Sequence, residues 1–155
     1  MQIQPDESVA THSWPIWRDS ANFIFVASLE AKNGKNQWEQ LWGKQLAPHR
    51  FIVCCIPFFL YDVALGDEVE TDDDLVLQRV VHQSGQVTFR VWFGGQDAST
   101  RLQQVREIEE IGPLTEWSSE HLLALSVAES EAHRLANHLQ RRENEGLLVY
   151  ETGRR

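Results

Sequence analysis

Cysteine is scarce in this chain, with only Cys54 and Cys55 in 155 residues. Adjacent residues on a strand point to opposite faces, so bridging the two would need strained geometry. A disulfide framework and a cysteine zinc site are therefore excluded. Long apolar runs are also missing: the longest, Phe51 to Tyr61, is broken by Pro57 and falls short of the roughly 20 residues that span a bilayer. Residues Met1 to Thr11 carry neither a basic start nor an apolar h-region, so no secretory signal is expected and a cytoplasmic location follows. Basic side chains are outnumbered, 14 Lys and Arg against 23 Asp and Glu, for a net charge of -9. Such a surface repels phosphate backbones and anionic lipid, so neither nucleic acid nor membrane is expected as a partner.

Catalytic and cofactor motifs are missing too. Gly94-Gly95 is not followed by the Lys-Ser/Thr of a phosphate loop, and no dinucleotide-binding glycine pattern occurs. His133 and His138 are five apart with His121 upstream, which is not a metal-ligand spacing. His82 and Ser84 share a strand direction without a nucleophile elbow around them. The expectation is a non-enzymatic protein without cofactor or metal.

What is present is a globular composition, 42% hydrophobic with six Trp and seven Phe. Residues 1–21 read as an arm in which Trp14 and Trp17 bracket Pro15, either tucked against the body or anchoring a partner. Phe23 to Leu29 reads as a buried strand, and Asn33-Gly34 as the turn after it. Trp38 to Leu46 and Phe51 to Ile56 form a predicted hairpin, and Leu75 to His82 a further strand. Val87 to Phe93 alternates. A helix capped by Asp97 or Ser99 then runs to Gly112-Pro113. Strands near Leu114 to Trp117 and His121 to Val127, a second helix around Leu135 and Leu139, and a strand from Leu147 to Glu151 complete the order. The fold class is α+β: a small, bent, barrel-like β lobe over residues 22–82, then a ferredoxin-like βαββαβ lobe over residues 83–152, with 153–155 as a tail. Leu102, Val105, Ile108, Leu135 and Leu139 are expected to bury one sheet face.

Trp42 ahead of the hairpin, Ile56-Pro57-Phe58-Phe59 with Tyr61 and Gly66-Asp67, Val80-Val81 through Ser84-Gly85, and Thr88 with Arg90 form a recurring set. With Leu123 to Val127, a helix, Gly146 and Tyr150-Glu151, the chain resembles the bacterial domain of unknown function 4265 over about residues 22–152. The resemblance implies a small cytosolic bacterial protein of mixed α and β structure, and it brings no activity with it. Residues 1–21 lie outside the pattern.

Thr88 and Arg90 share a strand face near Ser84 and can line a polar site for an anion or carboxylate. Alternatively Arg90 pairs with Glu116 or Glu151 on the sheet. The charge distribution carries more information. Six of the net nine negative charges sit in eight residues, as Asp67, Glu68, Glu70, Asp72, Asp73 and Asp74. A solvated loop, a cation loop without the EF-hand pattern, and a patch complementary to a basic protein all account for it. The functional expectation is an immunity protein, a monomer or weak dimer, that neutralises a basic, nuclease-type toxin through these carboxylates with Trp14 and Trp17 as anchors. The alternative is a small-molecule-sensing or regulatory domain.

Overall fold

The structure, a computed structural model, describes residues 7–155; the first part of the expected arm, residues 1–6, lies outside them. Strand β1 (Ser8–Ala10) is followed by β2 (Phe23–Lys32) and β3 (Lys35–Ala47). The β2–β3 hairpin turns on Asn33 and Gly34, both with positive φ, the geometry that matches strand twist in a two-residue loop. Gly43 in β3 is required by packing: a Cβ there would lie 2.7 Å from the Phe25 ring. The meander continues through β4 (Arg50–Val53), β5 (Glu68–Thr71) and β6 (Leu77–His82). A parallel bridge between Val26 and Val76 brings its end back to β2, and the Val26 N–H donates to the Leu75 carbonyl at 3.0 Å. The sheet thus curls around Phe25, Leu41, Phe51, Val53 and Val69, with Val63 from the loop beside them.

The second sheet is built from β7 (Gln86–Trp92), β8 (Leu114–Ser119), β9 (Leu122–Ala128) and β10 (Val149–Thr152), in the order β10-β7-β9-β8 with antiparallel neighbours. Helices α1 (Ala98–Ile111) and α2 (Glu129–Asn144) make its two interleaved crossovers, the ferredoxin-like arrangement. Asp97 caps α1 by accepting from the Thr100 N–H at 2.7 Å, and left-handed Gly112 stops it. One sheet face buries Val87, Phe89, Val91, Leu123 and Leu125 against Ile108, Leu135 and Leu139 of the helices. On the opposite side Ala124 packs with Ile56, Phe58 and Leu65 from the chain between β4 and β5. Because the central strands are covered on both sides, Thr88, Arg90 and Ser126 are buried as well. Among the described residues, no helix is long and apolar enough to cross a membrane.

Four local expectations are corrected. The arm is not featureless, since β1 pairs in parallel with Gln37 to Glu39 of β3. The strand expected over Phe51 to Ile56 ends at Val53, although Cys54, Cys55 and Ile56 remain buried. Residues 68–71 of the acidic stretch form a strand rather than a loop. Leu102 is 51% exposed: at about 100° per residue, positions three apart drift by roughly 60° a step, so Leu102 lies some 180° from Ile111. Gln104 takes a buried place on the helix instead.

Candidate functional site

Three ionisable side chains from distant parts of the sequence meet inside the molecule. His12 follows β1, Glu39 lies in β3 and Glu116 in β8, and all three are buried. His12 Nε2 donates to Glu39 Oε2 at 2.7 Å, and His12 Nδ1 donates to Glu116 Oε1. The carboxylates also take backbone donors from the turn after β4. Glu39 accepts from the N–H groups of Phe58 at 2.8 Å, Phe59 at 2.9 Å and Leu60 at 3.0 Å, and Glu116 from Ile56 at 2.8 Å. The imidazole stacks on the Phe58 ring, with centroids 4.0 Å apart.

Burial alone pulls the His12 pKa down, but the hydrogen bonds to Glu116 and Glu39 and the charges behind them prevail, raising it to about 9. The imidazole is therefore charged at neutral pH, with both ring nitrogens donating. For Glu39 the balance has the same form: burial raises its pKa, while the bonds to His12 and to backbone N–H groups hold it below the ordinary carboxylate value. Every carboxylate oxygen of this clamp is hydrogen-bonded, which is the condition for keeping charge in a low-dielectric interior. The clamp ties the arm, both sheets and the Ile56–Leu60 turn together. Among the described residues, no cluster of His, Cys, Asp and Glu is arranged to hold a metal ion. Burial also raises the thiol pKa of Cys54 and, more strongly, of Cys55, so neither is a thiolate nucleophile at neutral pH.

The turn that Glu39 fixes on its inner side forms, on its outer side, a wall of a cleft of about 690 Å³. Leu29, Trp38, Phe59 and Tyr61 line it, together with Glu30, Lys32, Asp62, Glu151 and Arg155. The Tyr61 hydroxyl donates to Glu151, a bond that raises the phenol pKa. Arg90 is 2% exposed, donates from Nη2 to the Leu60 carbonyl at 2.6 Å and lies 4.8 Å from the centre of the Tyr61 ring.

Several of the residues singled out from sequence are placed otherwise than expected. Asp67 is buried and structural, accepting from Ala64 N–H at 2.9 Å and Ser84 N–H at 2.8 Å, so it offers nothing to a partner. Glu68 and Glu70 face Arg50 at 3.3 Å each, with His82 also near Glu68 and Arg79 near Glu70. Asp72 accepts from Asp74 N–H and Val76 N–H, closing the turn before β6. Asp73 is the open carboxylate, 98% exposed beside His49, and Asp74 is exposed as well. Trp14 is exposed, with the Arg18 guanidinium over its ring, whereas Trp17 is 37% exposed and its ring lies beside Gly66. The polar site of Ser84, Thr88 and Arg90 is not assembled. The Ser84 hydroxyl donates to Leu65, and Gly153 closes over Thr88 and Arg90, leaving no room for a Cβ. Beside Thr88 only about 80 Å³ remains. Of the two partners anticipated for Arg90, Glu151 stands 3.7 Å away, while Glu116 is taken by His12.

No curated protein matches the sequence. A crystal structure of a hypothetical protein from Neisseria gonorrhoeae shares the fold, with a TM-score of 0.70 and 21% identity over 84% of this chain and 92% of that one. The clamp residues Glu39 and Glu116, the Pro57–Tyr61 turn and Arg90 all fall within residues 39–150, which match the domain of unknown function DUF4265. The chain belongs to the DUF4265 family.

Proposed function

We propose that this chain is a non-enzymatic binding protein of the bacterial cytoplasm that neutralises a basic protein, in the manner of an immunity protein against a toxin. The cleft beside Tyr61 carries this reading. Its lining combines the rings of Trp38, Phe59 and Tyr61 with three carboxylates, Glu30, Asp62 and Glu151, against the two cations Lys32 and Arg155, a combination suited to positively charged side chains. The net charge of -9 speeds encounter with a basic partner over longer range. Relative to the sequence expectation, the proposed contact surface moves from the acidic stretch to the cleft, where aromatic rings accompany the carboxylates.

The test is survival of cells expressing the product of the gene immediately upstream, with and without this chain. Protection is expected, reduced when Glu30 is replaced by Lys. Equal killing with and without the chain would overturn the proposal. A second reading, a sensor of a small molecule, rests on the cleft volume of about 690 Å³, within the usual span of ligand sites.

A further inference from the structure

The Tyr61 ring carries two guanidinium groups of unequal standing. Arg90 is buried and fixed to the Leu60 carbonyl. Arg155 lies 4.0 Å from the ring centre, pairs with Glu30, and has its backbone N–H on Asp62 Oδ1 at 3.0 Å. Its side chain remains 54% exposed, and that of Glu30 78%. One cation is thus built into the wall, while the other rests in the open cleft.

We infer that the face of Tyr61 and the Glu30 carboxylate form a binding site for an arginine side chain of a partner polypeptide, occupied in the free protein by the chain's own Arg155. The inference rests on the proposed neutralisation of a basic protein and specifies what the cleft reads. The recognition chemistry is on the molecule already. A guanidinium stacks on an aromatic ring and donates to a carboxylate in one geometry, which a flexible ammonium reproduces poorly. Arg155 makes both contacts now. Its exchange is open on energetic grounds because an exposed ion pair is weak and water can replace its partners. Trp38 and Phe59 line the same cleft of about 690 Å³, which has room for neighbouring residues of the incoming segment. Occupation by Arg155 then works as an internal competitor, lowering apparent affinity by the fraction of molecules in which the site is closed.

NMR titration with a capped pentapeptide bearing a central arginine, observed on the Tyr61 ring signals, tests the site. Arg155→Ala is expected to bind the peptide severalfold more tightly than wild type, up to about sixfold, because the competitor is gone. Adding Glu30→Gln to that variant is expected to weaken binding by at least about threefold. A peptide with citrulline in place of arginine is expected to leave the Tyr61 signals unmoved. Both altered side chains are exposed, and unchanged thermal unfolding confirms intact folding. Tyr61 signals that ignore the arginine peptide in Arg155→Ala, or that respond equally to citrulline, overturn the arginine site. Peptide binding without protection in cells retains the site and removes the toxin reading. Protection that is indifferent to both Arg155→Ala and Glu30→Gln removes the site and retains the toxin reading.

Discussion

Glu39 and Glu116 come from different sheets and meet at His12, whereas Asp67, Glu68, Glu70, Asp72, Asp73 and Asp74 crowd into eight consecutive positions. The first group is buried, with every oxygen hydrogen-bonded. The second is spread from the interior at Asp67 to open solvent at Asp73. Charge density along a sequence says little about what the charges do. The energetic weight of a carboxylate depends on whether water can replace its partners. In the clamp it cannot, so removing one member leaves a charge stranded; around Asp73 water substitutes freely.

That contrast is sharpest at His12. His12→Ala leaves Glu39 and Glu116 facing each other without a cation, and a loss of about 3 to 5 kcal/mol in denaturant-induced unfolding is expected. A loss below about 0.5 kcal/mol, ordinary for exposed positions, would break the distinction between the two groups. Asp67 tests whether burial rather than sequence neighbourhood decides the outcome, because it belongs to the crowded stretch yet serves two buried N–H donors. Asp67→Ala is expected to cost about 1 to 3 kcal/mol by the same measurement, well above its neighbours. The smallest effect is expected at Asp73: Asp73→Asn should alter stability by no more than about 0.5 kcal/mol. A large change there would show that the exposed acids also hold the fold.

The elements governed by local rules were legible from the residues. Asn33-Gly34 dictates its hairpin, and Asp97 with Gly112-Pro113 brackets α1. The alternation of Val87, Phe89, Val91 and Phe93 gives the helix-facing side of β7. Leu102 was misread because three-residue spacing is not helical periodicity, and Gln104 on the buried face interrupts the apolar pattern. The clamp was missed for a different reason: its three members are joined only by the fold. One sign was available. Glu39 is in phase with Leu41 and Gly43, on the inward side of β3, and a charged residue on an inward strand face demands a partner of opposite sign. His12 stands outside any periodic segment, so nothing in its surroundings identified it as that partner. The cleft was hidden likewise, since Trp38, Tyr61 and Arg155 converge from three separate parts of the chain.

Because the clamp depends on charge, it also sets the pH window of stability. His12 has its pKa raised from 6.5 to about 9, so its contribution is full below pH 6.5 and is lost as pH rises through about 9. A shift of that size corresponds to roughly 3 kcal/mol. Glu39 acts in the opposite direction: its pKa is lowered from 4.5, so its contribution is present above that pH and fades as pH falls below it. The most direct measurement is an NMR titration of His12 in the folded protein, assigned by the loss of its signals in His12→Gln. The account predicts an imidazolium at pH 7 with both ring N–H protons protected from exchange, and a midpoint near pH 9. A neutral ring at pH 7, titrating at or below 6.5, would contradict it.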